Sequence, residues 1–170
     1  MDTKPQVLIL MGSDSDWSVM QEAAKVLDDF AVPFEMKVTS AHRTPARTHQ
    51  LVEEAPGRGV RVLIAGAGAA AHLAGVVASL TQLPVIGVPL SATDLKGMDA
   101  LLATVQMPGG IPVATMAIGK AGAKNAALFA LRILALSDYG IAEELKKFSA
   151  NMAASVEKKD ASLQGKIATR

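Results

Sequence analysis

The chain has 170 residues, of which half are apolar and only 4% aromatic, and its formal net charge is +1. This composition predicts one domain with an aliphatic core, and the near-neutral charge argues against electrostatic binding of nucleic acid. Because the chain contains no cysteine, disulfides, thiolate metal sites and a thiol nucleophile are excluded.

The amino-terminal residues do not resemble a secretion signal, because Asp2 and Lys4 precede an apolar run typical of a strand. The sequence therefore predicts a cytoplasmic protein. Residues 62–80 are long and uncharged enough to suggest a membrane span, but three glycines and His72 interrupt them. A buried strand, a tight turn and a buried helix explain this segment better, so we predict no association with a membrane.

Apolar runs alternate with segments of helical spacing, which is typical of repeated strand–helix units. Predicted strands cover residues 7–11, 34–38, 60–65, 84–88 and 112–118, and predicted helices cover residues 15–30, 44–54, 70–80, 97–105 and 121–136. We expect Pro56 and Gly57 to help end the second helix. The order of these elements predicts the α/β class, as a three-layer sandwich around a five-stranded parallel sheet.

A sixth helical stretch, residues 141–158, follows the fifth unit, so the sandwich itself does not require it. Its apolar residues recur every three or four positions and form a stripe of Ile141, Leu145, Phe148, Met152 and Val156. The stripe can pack on a neighbouring subunit or cover its own domain, and the residues leave both possibilities open. We divide the chain into an α/β domain at 1–140, a carboxyl-terminal helix at 141–160 and a polar, frayed tail at 161–170.

The first candidate site is the turn GSDSDW, residues 12–17, directly after the first predicted strand. Helix amino termini bind anions through unpaired N–H groups and the helix dipole, and Ser13 and Ser15 add hydroxyl donors. Asp16 is a poor phosphate ligand but a good acceptor for ribose hydroxyls. The alternative is that Ser15 and Asp16 only cap the helix, and taken alone this motif favours capping.

The second candidate site is the turn SAHRTP, residues 40–45, directly after the second predicted strand. Arg43 can fork onto phosphate oxygens, and His42 can accept and release a proton near neutral pH. The alternative for His42 is a hydrogen-bonded structural histidine. Because turns of this kind lie along one edge of an open α/β sheet, Ser40 and both turns together predict a site for a phosphorylated, hydroxyl-bearing ligand.

The third segment of interest, AGAGAAAHLAG at residues 65–75, lacks the GxGxxG fingerprint of dinucleotide-binding folds. Its small residues would instead let the backbone approach a flat ligand closely. His72 opens the following helix and either shapes the site or simply packs. The chain has no pattern typical of a metal site, so we predict no metal.

These motifs, followed by PVIGVP, LKGMDALLATVQMPGGIPVATMAIG and GAKNAALFA, occur in the order and spacing of one family. Over roughly residues 6–150 the chain resembles class I PurE, the N5-carboxyaminoimidazole ribonucleotide mutases. The resemblance implies a flavodoxin-like sandwich assembled as a homo-octamer, with sites at subunit junctions and the final helix contributing to assembly. It implies transfer of a carboxyl group from the exocyclic nitrogen to ring carbon C4 of a ribonucleotide, without metal, ATP or organic cofactor.

The resemblance also implies roles for individual residues. His42 corresponds to the catalytic histidine, which would protonate the N-carboxylate and later take the proton from C4, and Asp16 would hold the ribose hydroxyls. The remaining implied substrate-binding residues surround the phosphate and the base: Ser13, Ser15, Ser40, Arg43, Gly66, Ala67, Gly68 and His72. The chain departs from the family at Ala74, where a proline is usual, and this change frees the backbone before Gly75.

Three other interpretations compete with the mutase. The chain can be a class II enzyme of the same family, which carboxylates aminoimidazole ribonucleotide with free CO2, although both loops resemble class I. It can be a nucleotide-binding module that has lost activity, which is disfavoured because His42 and Arg43 are both present. A flavin-binding electron carrier is weaker still, because Trp17 and Tyr139 lie outside the predicted site loops.

Overall fold

The computed structural model describes residues 4–168, in which five parallel strands form one sheet in the order β2-β1-β3-β4-β5. The strands are β1 (Val7–Met11), β2 (Phe34–Val38), β3 (Val62–Gly68), β4 (Val85–Leu90) and β5 (Ala114–Thr115). The helices are α1 (Trp17–Asp29), α2 (Pro45–Arg58), α3 (Leu73–Ser79), α4 (Met98–Val105), α5 (Lys120–Ala135) and α6 (Tyr139–Ala168). This strand order is that of flavodoxin-like folds, so the predicted fold class is confirmed.

Side-chain alternation along β1 sends its apolar residues into two separate cores. Ile9 packs on one face of the sheet against α1 and α5, whereas Leu8 and Leu10 pack on the other face against α2 and α3. All five residues of β1 are buried, because helices cover both faces of the sheet. The continuous apolar runs of the sequence therefore mark the central strands of a three-layer sandwich.

Residues 62–80, the segment of ambiguous hydropathy, form β3, a tight turn and α3. Within residues 4–168 no helix is both long enough and apolar enough to cross a membrane.

The second helix differs from its prediction, because α2 continues through Pro56 to Arg58. It ends where Gly59 adopts a left-handed backbone conformation, with φ at 105°. The Gly59 N–H then donates to the Pro56 carbonyl at 3.0 Å, and the Val60 N–H donates to the Ala55 carbonyl at 3.1 Å. The prediction that Pro56 and Gly57 end the helix is wrong, because the glycine two positions further on supplies the cap.

The fifth strand is shorter than predicted, with only Ala114 and Thr115 in regular pairing to β4. Pro112 has no N–H group to donate to the sheet, which delays the start of pairing at this edge. Beyond the strand, single bonds from the N–H groups of Met116 and Gly119 to carbonyls of β4 replace a regular ladder.

The final helix is longer than predicted and divides the apolar stripe. Asp138 caps α6 by accepting the N–H groups of Gly140 at 2.9 Å and Ile141 at 3.2 Å. The first half packs on its own domain, where the Phe148 ring lies 5.8 Å from that of Phe30. The second half projects from the domain, and the apolar residues Met152, Val156, Leu163 and Ile167 are exposed along it.

The polar tail predicted to be frayed from residue 161 is helical as far as Ala168, and residues 169–170 lie outside the described part of the chain. Its alanine, leucine, lysine and glutamine residues favour helix, and the side chain of Gln164 donates to that of Asp160 one turn earlier, at 3.3 Å. Low hydrophobicity alone therefore did not indicate disorder here.

Between β3 and α3 the backbone turns sharply at Ala69, whose φ of 53° lies in the left-handed region. An alanine there is strained by about 1–2 kcal/mol, and glycine relieves this at an entropic cost of about 0.4–1 kcal/mol. We therefore expect Ala69→Gly to raise Tm by about 1–4 °C in calorimetry. Ala70→Gly is the matched control, because Ala70 has no positive φ and should lose stability instead. A lower Tm for Ala69→Gly would contradict the strain argument.

Candidate active site

A cleft of about 300 Å³ lies at the carboxyl edge of the sheet, between β1 and β3, where β2 is added on one side of β1 and the later strands on the other. Its walls are the turns after β1, β2 and β3, together with Leu73 and Ala92. In flavodoxin-like folds this switch point is where ligands bind. The three segments singled out in the sequence therefore meet in one place, because the strands that precede them are parallel neighbours.

The turn after β1 combines capping with exposure to the cleft. Ser13 caps a short 3-10 turn (Asp14–Asp16): its Oγ accepts the Ser15 N–H at 3.3 Å, and its own N–H donates to Asp16 Oδ2 at 2.9 Å. The Ser15 hydroxyl lies 2.9 Å from that of Ser13. All three side chains also line the cleft, so capping and ligand binding are compatible here.

Burial raises the pKa of the Asp16 carboxyl above its ordinary value, and the charge of Asp14 acts in the same direction. Hydrogen bonds from the N–H groups of Ser13 and Gly12 lower the pKa and partly offset the burial. A half-buried carboxylate already held by two backbone donors has lone pairs left for hydroxyl donors of a ligand.

Arg43 ties the turn after β2 to the turn after β1. Its Nη2 donates to the Gly12 carbonyl at 3.2 Å, and its backbone N–H donates to Ser40 Oγ at 3.1 Å. Among residues 4–168 no carboxylate forms a salt bridge with Arg43. The guanidinium is thus oriented by neutral acceptors and keeps its charge for an anionic ligand.

His42 meets His72 across the cleft edge, with Nε2 of His42 2.8 Å from Nδ1 of His72. The two rings are nearly perpendicular, at 81°, with centroids 4.9 Å apart. One nitrogen must carry the proton while the other accepts it, so the pair shares a single N–H between two titratable rings. This arrangement differs from a structural histidine bonded to a backbone group, and it can hand a proton between the two rings.

The small residues at the end of β3 take two different positions. Ala67 and Gly68 line the cleft, whereas Gly66 is buried beneath them, where an added Cβ would lie 2.5 Å from Met20 Sδ. Gly66 therefore lets α1 pack closely on the sheet. A Cβ at Gly68 would collide with the methyl group of Ala92, so only glycine fits between the two turns there.

Sequence reasoning did not single out several cleft residues: Ala41, Ala69, Ala70, Leu73 and Ala92. Ala92 follows β4, whose carboxyl end lies at the same edge as those of β1 and β3. The same reasoning that selected the other turns, that residues directly after parallel strands lie along one edge of the sheet, would therefore have identified Ala92. The remaining four are apolar neighbours of selected residues and carry no polar signal.

Residues 6–155 match the family model described as AIR carboxylase. The N5-carboxyaminoimidazole ribonucleotide mutase of Pyrococcus abyssi is 60% identical, over 87% of this chain and 84% of that protein. The enzyme of the same name from Bacillus subtilis is 56% identical, over 84% of this chain and 88% of that protein. The crystal structure of Treponema denticola PurE superposes with a TM-score of 0.84 at 31% identity, covering 94% and 98% of the two chains.

The raised pKa of Asp16 predicts a gain in stability when its charge is removed. Above the folded-state pKa the ionised carboxylate destabilises the fold, because burial penalises the charge. Asp16→Asn removes that charge and keeps an oxygen to accept the Ser13 N–H. We expect a higher Tm than wild type at neutral pH, and no gain below the ordinary pKa of aspartate, where wild type is also protonated.

The measurement is thermal unfolding at both pH values, with Asp94→Asn as control because Asp94 is an exposed loop residue. The control should leave Tm nearly unchanged at either pH. A lower Tm for Asp16→Asn at neutral pH would show that the hydrogen bonds outweigh the burial.

Proposed function

This chain belongs to the AIR carboxylase family, as its motifs predicted, and from that premise we propose that it is an N5-carboxyaminoimidazole ribonucleotide mutase of de novo purine biosynthesis. The observation that carries the proposal is the cleft that joins Arg43, Asp16 and His42, with His72 bonded to His42 beside it, within a chain whose relatives bear that name. The enzyme is an isomerase that moves a carboxyl group from the exocyclic nitrogen to C4.

The cleft offers a distinct group for each part of a ribonucleotide. Arg43 and the Ser13, Ser15 and Ser40 hydroxyls suit the phosphate, since a guanidinium and hydroxyl donors match its oxygens. Asp16 suits the ribose hydroxyls. The wall of Ala67 and Gly68 suits the flat base, because no bulky side chain holds it away from the backbone.

His42 is the general acid and base of the proposed reaction. It donates a proton to the N-carboxylated nitrogen, the C–N bond breaks, and its electron pair stays on nitrogen as CO2 departs. C4 then attacks the retained CO2, the new C–C bond forms, and the C4 proton passes to His42. The imidazole ends in the state in which it began, so one residue serves both halves.

His72 supports this cycle through its hydrogen bond to His42. His42 Nε2 donates to His72 Nδ1, or accepts from it when His72 carries the proton, so Nδ1 of His42 is the nitrogen left to exchange a proton with the substrate. The partner ring thus holds His42 in one orientation through both protonation states. A pocket closed to water would keep CO2 next to C4 and raise its effective concentration.

A paired assay at neutral pH, with chelator present and ATP absent, tests the proposal. One sample contains N5-carboxyaminoimidazole ribonucleotide, the other contains aminoimidazole ribonucleotide with bicarbonate, and ultraviolet absorbance reports the C4-carboxylated product. Rapid product only in the first supports the mutase. Rapid formation of product only in the second sample would make the chain a carboxylase. No product in either sample would indicate a binding module without activity.

We expect His42→Asn to abolish turnover while substrate affinity stays within about tenfold of wild type, because the proton donor is lost and the phosphate and ribose contacts remain. Turnover is measured with the mutase assay and affinity by calorimetric titration. His49→Asn is the matched control, because His49 is exposed on α2 and pairs with Glu53, at 3.4 Å. Turnover close to wild type in His42→Asn would eliminate this assignment.

We further propose that the chain assembles as a homo-octamer. A stripe of residues in and before α4 leaves half or more of each apolar side chain exposed: Leu95, Met98, Leu102 and Val105. The projecting half of α6 carries a second exposed stripe, through Met152 and Val156. Contiguous apolar surface of this kind favours contact with other copies of the chain.

Light scattering on the purified protein should therefore give the mass of eight chains. Leu102→Glu places a charge in the α4 stripe, and we expect it to shift the mass toward smaller species while circular dichroism keeps the wild-type helix content. A monomeric wild type with full mutase activity would contradict the octamer.

A further inference from the structure

We propose that Thr39, Thr44 and Thr48 form a hydroxyl relay that positions His42, an inference that rests on the mutase function proposed above. The three residues flank the turn that carries His42 and Arg43; none of them lines the cleft itself, although Thr39 and Thr44 line an adjoining hollow that shares Ser40 and Arg43 with it. Their role is to position the turn rather than to touch the substrate.

The relay is built on two of the buried polar side chains of the molecule. Within residues 4–168 the buried polar or charged residues are Thr39 and Thr104, each 2% exposed, and Thr48, 0% exposed. A buried hydroxyl is costly unless it is hydrogen-bonded. Two such groups meeting directly beneath one turn therefore constrain where that turn can lie.

The Thr39 hydroxyl lies next to both of the others. Thr39 Oγ1 lies 2.8 Å from Thr48 Oγ1 and 3.3 Å from Thr44 Oγ1. The backbone of Thr39 is fixed to the sheet, because its N–H donates to the Met11 carbonyl at 2.8 Å. These contacts thus connect the end of β2, through α2, to both sides of the turn.

Counting protons gives the relay a direction. Thr44 Oγ1 donates to the Ser40 carbonyl at 3.1 Å and accepts the Ser40 N–H at 2.9 Å. Thr48 Oγ1 donates to the Thr44 carbonyl at 3.3 Å. Each hydroxyl has one proton, so when Thr44 and Thr48 donate to these carbonyls, Thr39 supplies the bond to Thr48 and its 3.3 Å contact with Thr44 carries no proton. The relay therefore ends on Ser40 and Thr44, the two residues that bracket the His42 turn.

The Thr44 side chain also departs from its usual use. Thr44 is the N-cap residue of α2, yet its side chain makes no capping bond to the helix. A threonine at this position commonly caps the first turn. Here its hydroxyl closes the 40–44 turn instead, at the expense of a helix cap.

His42 depends on the relay more than Arg43 does. Arg43 has an anchor of its own outside the turn, the Gly12 carbonyl. Within residues 4–168 the ring of His72 is the hydrogen-bond partner found for the His42 side chain, so the position of His42 otherwise follows the backbone of the turn. Loosening the turn should therefore affect proton transfer more than phosphate binding.

The test compares Thr48→Val, which keeps the shape but removes the hydroxyl, with Thr48→Ser, which removes a methyl group but keeps the hydroxyl. We expect Thr48→Val to lower kcat by about 10- to 100-fold with KM within about threefold of wild type. Thr48→Ser should recover kcat to within about twofold of wild type. Equal losses in the two variants would show that packing, not the hydroxyl, matters, and would overturn the proposal.

Thr104→Val is the matched control, because Thr104 is equally buried and its Oγ1 also donates to a carbonyl four residues earlier, at 2.7 Å, but on α4. Thr104→Val should lower Tm by about as much as Thr48→Val does and leave kcat unchanged. A fall in kcat like that of Thr48→Val would overturn the proposal. If Thr48→Val does not fold, Thr44→Val removes the exposed end of the relay and carries the same expectation for kcat.

Proton and nitrogen NMR of the His42 ring separates this proposal from the proposed function. The ring signals should shift in Thr48→Val and stay in place in Thr104→Val, whether or not wild type turns over the substrate. An inactive wild type with these shifts would reject the mutase and keep the relay. An active wild type whose His42 signals do not move in Thr48→Val would reject the relay and keep the mutase.

Discussion

The parallel alignment of β1, β2 and β3 is the constraint on which the site depends. Ile9 in the middle of β1 lies opposite Met36 of β2 and Ile64 of β3, so the three strands end at nearly the same level. After each strand the chain enters a turn at the same edge of the sheet. The guanidinium of Arg43 closes the arrangement by bonding to Gly12 across two of these turns.

Close packing at this edge decides which residues can stand there. Gly66 leaves room for Met20 of α1, and Gly68 leaves room for Ala92 after β4. Small residues therefore line this part of the cleft, and its polar side chains are confined to the first two turns. A flat ligand with a charged end fits this division better than a compact polar one.

The two proposals place different demands on the same turn. The proposed mutase needs the His42 ring in place through two proton transfers, and the relay of buried threonine hydroxyls holds the backbone that carries the ring. The left-handed backbone of Ala69 and the buried charge of Asp16 each lower the free energy of unfolding below what a glycine or an uncharged side chain would give there. Both of these sites lie at the cleft, although non-glycine residues also adopt left-handed backbone away from it, at Ala31 and Lys96.

The fold and most of the candidate site could be predicted because their signals are local. Apolar runs indicated the central strands. Hydroxyl and charged side chains directly after two of these runs indicated the site turns at 12–16 and 40–43. Element ends were less predictable: Pro56 did not stop α2, because the left-handed Gly59 supplies the cap. The helix beyond residue 160 was missed because polar composition does not distinguish an exposed helix from a frayed tail.

The sequence by itself determined the element order, the aliphatic core and the residues with chemistry to offer, because each follows from periodicity or from side-chain type. Only the tertiary structure decided that His42 lies 2.8 Å from His72, thirty positions away, and that Thr39 reaches Thr48. It also placed Gly66 behind the cleft and Gly68 on its wall, although both belong to one short motif. Such contacts depend on how strands and helices pack in three dimensions, and no local pattern in the chain records them.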